Sequence, residues 1–204
     1  FGASVDVNFP ANVNFLSQTG GYADGFAISY SQAGNVNWAS RYNRNNNDAY
    51  YDIAVAANNT PYAVGGDNTG FSGFAHANTL VTQINPLTGS LTSNNSTNGN
   101  LVNRFNSVAI DESGNFYGAG LYSGDPDFNF SRGTSVYAGL ASSSQDGMIV
   151  KHHANRTAIW AKRIGGTGYD EINRVIVKGN YLYVVGTYTG KVDFNPSTLV
   201  ADTF

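Results

Sequence analysis

The chain has 204 residues and a formal net charge of -3; 41% of its residues are hydrophobic and it contains no cysteine. This length and apolar fraction suit one substantial folded core and argue against disorder. The lack of cysteine excludes disulfides, thiol nucleophiles and cysteine zinc sites. The slightly acidic charge offers no basic stripe for phosphates, so no nucleic-acid partner is expected, and no stretch approaches the roughly 20 apolar residues of a membrane span.

The composition favours β-structure. Only 12% of the residues are charged, whereas the chain holds 24 glycines and 13 tyrosines. Aromatic and β-branched side chains fit a pleated sheet, and glycine and asparagine accept the positive φ that tight turns require. The sequence therefore predicts an all-β fold of short strands.

The first predicted elements are two strands and a hairpin. Strands over 24–30 and 34–42 are followed by a hairpin over 53–65 that turns at Asn58-Asn59. Short apolar runs flank this turn, which is the sequence form of a β-hairpin. Together these elements supply four strands.

The same elements return further along the chain. The hairpin recurs over 108–120 and 175–186, and the two strands recur so that Trp160 lies 122 positions after Trp38. Two units of about 61 residues fit this interval. We expect the following to be structural repeat residues: Trp38, Trp160, Tyr62, Tyr117, Tyr183, Gly65, Gly120 and Gly186.

Four short antiparallel strands repeated at this length are typical of a β-propeller blade, which must stack on its neighbours to bury both faces. The prediction is one propeller segment over 1–204, with repeat 1 at about 1–70, a divergent repeat 2 at about 71–124, repeat 3 at about 125–190 and the start of repeat 4 at about 191–204. A β-sandwich is the alternative, but it gives no reason for a repeat of whole four-strand units.

Four sequence segments carry a family resemblance. They lie at residues 160–166, 169–171, 183–186 and 190–196. They resemble the bacterial SBBP repeat, a family named for seven-bladed β-propellers. Repeat 3 matches closely over nearly its full length, repeat 1 moderately, and repeat 2 in its closing hairpin alone. The resemblance implies a bacterial protein that is secreted or exposed at the cell surface.

The two ends of the sequence have the same phase in the repeat, since 5–10 and 192–196 match. Three blades do not close a ring, because propellers have four to eight. We therefore expect further blades, either from the same longer chain or from another copy. A longer chain is favoured over two copies that form a six-bladed ring.

One set of side chains is a candidate calcium site. Carboxylate and amide oxygens at alternate positions of a tight turn can converge on calcium, although the bidentate glutamate of an EF-hand is missing. The same residue types also cap turns by bonding nearby backbone N–H groups, and this second interpretation is favoured. The candidate ligands are Asp125, Asp127, Asn129, Asp193 and Asn195.

No catalytic residues are predicted, and the chain is not expected to be an enzyme. The pair Asp170-Glu171 belongs to the repeat, and adjacent side chains on a strand point to opposite faces. His152 is expected to be a structural ring. Three functions remain: an adhesive, assembly or structural binding module at the cell exterior, a glycan-binding propeller, and, least favoured, a propeller-fold hydrolase.

Overall fold

The described part of the chain consists of β-strands and their connections, as predicted for an all-β fold. A computed structural model describes residues 4–6, 15–17, 22–44, 47–67, 78–97, 101–131, 134–141 and 144–195. Within these ranges no helix has the length and hydropathy of a membrane span. The strands are β1 (Ser4–Asp6), β2 (Phe15–Ser17), β3 (Gly25–Tyr30), β4 (Val36–Tyr42), β5 (Ala49–Val55), β6 (Pro61–Asp67), β7 (Asn78–Ile84), β8 (Leu91–Ser96), β9 (Asn103–Ile110), β10 (Phe116–Tyr122), β11 (Asp146–His152), β12 (Ala158–Gly166), β13 (Asp170–Lys178), β14 (Tyr181–Tyr188) and β15 (Val192–Asp193).

Two full sheets form the middle of the described fold. The first full sheet has the strand order β5-β6-β7-β8, and the second has the order β9-β10-β11-β12 with the short β15 added beside β12. Strands β3 and β4 form a separate two-stranded sheet, as do β13 and β14, and β1 and β2. Each pairing is antiparallel, so both full sheets are meanders of sequence neighbours.

The sheets do not coincide with the predicted repeat units. The first full sheet extends over 49–96 and the second over 103–166, so each crosses one of the repeat boundaries at about 70 and 124. Each full sheet therefore takes its first hairpin from one repeat and its last two strands from the next. The repeat boundaries themselves stay a prediction.

Corresponding strand pairs of the described sheets share one cross-strand register, and positions that match in it are termed equivalent; the repeat itself stays a prediction. In β8, Ser93 lies at the position that Trp38 occupies in β4 and Trp160 occupies in β12. The three cross-strand pairs are Trp38 with Ser29, Ser93 with Gln83, and Trp160 with Lys151.

The three repeated hairpins share a β-bulge and a glycine opposite it. The bulges fall at equivalent places in β5, β9 and β13. A side chain at the opposing glycine would collide with a backbone carbonyl, so glycine recurs for a steric reason. A Cβ added at Gly65 would lie 1.9 Å from the oxygen of Ala49, one at Gly120 would lie 2.1 Å from that of Arg104, and one at Gly186 would lie 2.1 Å from that of Glu171.

Three apolar clusters lie between successive sheets. The β3–β4 pair packs on the first full sheet through Ala27, Trp38, Ala63 and Ile84. The two full sheets share a larger cluster that includes Tyr62, Val64, Phe105, Phe116 and Met148. The second full sheet packs on the β13–β14 hairpin through Ala119, Ile149, Ile172 and Val175. The sheets are thus stacked in chain order: each full sheet packs against the other on one face and against a two-stranded sheet over part of its second face.

Candidate functional site

Successive sheets are joined by hydrogen bonds between their first strands. The Asp52 carboxylate accepts from the Ser107 hydroxyl at 2.8 Å and from the backbone N–H of Val108 at 3.0 Å. Ser107, which is equivalent to Asp52, accepts from the N–H of Val175 at 3.2 Å. Because β5, β9 and β13 are edge strands, their outer N–H groups need partners outside their own sheet. For β9 and β13, a polar side chain on the preceding sheet accepts from one of these N–H groups.

An ion pair also connects β9 with β13. Glu171 accepts from Arg104 and from the Asn106 amide, both at 2.7 Å, and from the Tyr169 hydroxyl at 2.5 Å. Burial acts to raise the pKa of Glu171, but hydrogen bonds from Tyr169 and Arg104 outweigh it and hold that pKa below its usual value. Burial and the bond to Glu171 raise the pKa of Tyr169 to about 12. The carboxylate is therefore ionised and the phenol protonated at neutral pH.

The neighbouring Asp170 holds backbone in place. Its carboxylate accepts from the N–H of Gly166 at 2.9 Å and from that of Thr189 at 3.2 Å. The equivalent Asp48 accepts from the N–H of Arg44 at 2.7 Å. Two equivalent carboxylates thus fix the loop before the first strand of a hairpin, which is a structural task.

The candidate calcium ligands bond to the backbone of their own loops. The carboxylates of Asp127 and Asp193 accept from the N–H groups two residues later, Asn129 at 2.9 Å and Asn195 at 2.8 Å. Asp125 is exposed. Among the described residues, no group of three or more histidine, cysteine, aspartate or glutamate side chains is placed to hold a metal ion. Calcium binding stays a prediction, and the observed hydrogen bonds are those of turn caps.

The two tryptophans pack within the sheet stack. Trp38 is buried and donates its indole N–H to the carbonyl oxygen of Pro86 at 2.9 Å. Trp160 is half-buried, and its ring centre lies 6.1 Å from that of Tyr117. The buried Trp38 indole therefore presents no open stacking surface for a sugar or base.

The outer face of the β13–β14 hairpin is apolar and exposed. We name it the C-terminal open face and define it by Ile176, Tyr181, Tyr183 and Val185. Tyr183 is 55% exposed, whereas the equivalent Tyr62 and Tyr117 are buried, at 5% and 6% exposure. Exposed Ile176 and Val185 likewise correspond to positions that lie within the sheet stack, namely Ala54, Ala109, Val64 and Ala119.

The opposite end of the stack has a second open face. We name it the N-terminal open face and define it by Ile53 and Val55 of β5. Ile53 is 46% exposed, whereas the equivalent Val108 and Val175, each covered by the preceding sheet, are 5% and 2% exposed. A cleft of about 550 Å³ adjoins this face, and Tyr50 contributes to its wall.

The hydrogen bonds between successive sheets were not predicted from the sequence. Asp52 and Ser107 each lie one residue before a repeated hairpin, so the repeat places them at equivalent positions, but it gave no reason to expect a hydrogen bond between them. The recurring acid of Asp48 and Asp170 was the available signal for a structural carboxylate.

In the comparisons with known proteins, no family model and no curated protein matches this chain.

Proposed function

We propose that the chain is a β-propeller segment that acts as a non-catalytic assembly and binding module, secreted or exposed at a bacterial cell surface. Four-stranded antiparallel meanders stacked in chain order are the arrangement of propeller blades. Both full sheets pack against a neighbouring sheet on each of their two faces, over part of the area on the outer face. A two-layer sandwich would leave one face of each sheet in solvent, so this packing supports the propeller.

One observation carries the assembly function. Three side chains of the C-terminal open face, Ile176, Tyr183 and Val185, have equivalents that are buried or packed within the sheet stack. The chemistry of this face is therefore that of a sheet interior, and contiguous exposed apolar surface of this kind marks an interaction site. The partner it suits is another sheet of the same repeat.

The proposed location rests on two properties of the sequence. The SBBP resemblance implies a bacterial exterior protein, and charged residues make up only 12% of the chain. A surface of asparagine, glycine and threonine with few lysines is consistent with that location.

Sedimentation velocity on the purified 204-residue chain tests the assembly function. We expect self-association that increases with protein concentration in the micromolar range. Val185→Asp places a charge in the centre of the C-terminal open face, where Val185 is 64% exposed, so the variant should fold and associate at least tenfold more weakly.

Leu87→Asp is the matched control, because Leu87 is 85% exposed in the turn after β7 and belongs to neither open face. This variant should associate like the unmodified chain. A chain that stays monomeric at every concentration, or equal association of both variants, would contradict the proposal.

A further inference from the structure

The described fold contains two half sheets that complement each other. Each full sheet consists of a first hairpin followed by a third and a fourth strand. The β13–β14 hairpin is equivalent to the first two strands, and β3–β4 is equivalent to the last two, since 24–30 matches 146–152 at a spacing of 122. One end of the stack therefore holds the half that the other end lacks.

We infer that β13–β14 of one copy pairs with β3–β4 of a second copy to complete a four-stranded sheet. This inference rests on the proposed propeller and assembly function. In the described residues, β14 is hydrogen-bonded to β13 alone, whereas its equivalents β6 and β10 also pair with a third strand. The exposed edge of β14 is thus a template for strand addition.

The second full sheet fixes the register of the new pairing. There β10 pairs with β11 so that Ala119 lies opposite Ile149, and Tyr117 lies opposite Lys151. Val185 is equivalent to Ala119, and Ala27 is equivalent to Ile149. Across the junction, Val185 of one copy therefore lies opposite Ala27 of the second copy.

The same docking brings the two open faces together. In the stack, Asp52 lies against Ser107 of the following sheet. Arg174 is equivalent to these residues and is exposed beside the C-terminal open face, so the junction places Arg174 of one copy near Asp52 of the second. The opposite charges of Arg174 and Asp52 favour a second copy as the partner that covers the C-terminal open face.

The number of copies follows from the count of sheets. Beside the short β1–β2 pair, the described residues of one copy form two full sheets and two halves, which together equal three sheets. Propellers have four to eight blades, so two copies with six sheets fit and one or three copies do not. For the 204-residue chain by itself, we therefore expect a dimer closed by two identical junctions.

Cysteine cross-linking tests the register, because the natural chain has no cysteine. Ala27→Cys and Val185→Cys are made in separate chains, mixed and oxidised. Directly opposed residues in an antiparallel pair have Cα atoms within the range that a disulfide spans. We expect a disulfide-linked dimer on non-reducing gels and none when either variant is oxidised alone.

Val184→Cys replaces Val185→Cys in the matched control. Its side chain leaves β14 on the other face, so its mixture with Ala27→Cys should give at least tenfold less cross-linked dimer. Sedimentation on the unmodified chain separates the two proposals. Association without the register-specific disulfide would overturn this inference alone, whereas a strictly monomeric chain would overturn the proposed function as well.

Discussion

At the scale of single residues, His152 shows how the stack holds a polar ring in its core. The imidazole is fully buried between Phe116 and Phe130, with ring centres 4.5 and 4.8 Å away. Its Nε2 atom is 2.8 Å from the carbonyl oxygen of Phe128, and Nδ1 has no hydrogen-bond partner among the described residues. Burial lowers the pKa of His152 to about 4, so the ring is neutral at pH 7.

We expect the free energy of unfolding to fall as the pH drops from about 6.5 towards 4. The unfolded chain binds a proton to this histidine below pH 6.5, whereas the folded chain binds it near pH 4, so acid favours unfolding by up to about 3 kcal/mol. Urea denaturation at pH 7.5 and 4.5 measures the loss. His152→Phe cannot titrate and should lose less stability between these pH values; equal losses would contradict this assignment.

At the scale of elements, the repeated hairpin depends on its bulge. The bulge bends the first strand and brings its backbone against the opposing glycine of the second strand. The same strand bears the polar side chain that bonds to the next sheet. Local geometry and stacking therefore depend on one short stretch of each repeat.

Gly120→Ala should destabilise the chain by about 1–3 kcal/mol, because its Cβ would lie 2.1 Å from the carbonyl oxygen of Arg104. Chemical denaturation measures the change. Gly34→Asn is the control: φ at Gly34 is +83°, asparagine tolerates this region, and nothing lies within 4 Å of the added Cβ. Equal destabilisation by the two substitutions would show that the close approach at Gly120 is unimportant.

The elements themselves could be predicted from the sequence because their signals are local. Apolar runs around Asn58-Asn59 marked a hairpin, and the recurring glycines marked its second strand. The assignment of hairpins to sheets could not be predicted in the same way. Strand β6 pairs with β7, and only the folded chain shows that this pairing crosses the predicted boundary at about 70.

At the scale of the whole molecule, the stack has two different ends. The interfaces within the stack bury side chains at positions equivalent to those that the C-terminal open face leaves exposed. In the proposed assembly the ends join head to tail, because they complement rather than resemble each other, and such contacts either close a ring or extend into a filament. For two copies of the 204-residue chain, the proposed count of six sheets favours the ring.

A crystal structure of the disulfide-linked dimer tests this account most directly. We expect six four-stranded sheets around one axis, with β14 of each copy hydrogen-bonded to β3 of the other and Val185 opposite Ala27. Sheets arranged as a two-layer sandwich, or β13–β14 left as a separate hairpin, would contradict the account.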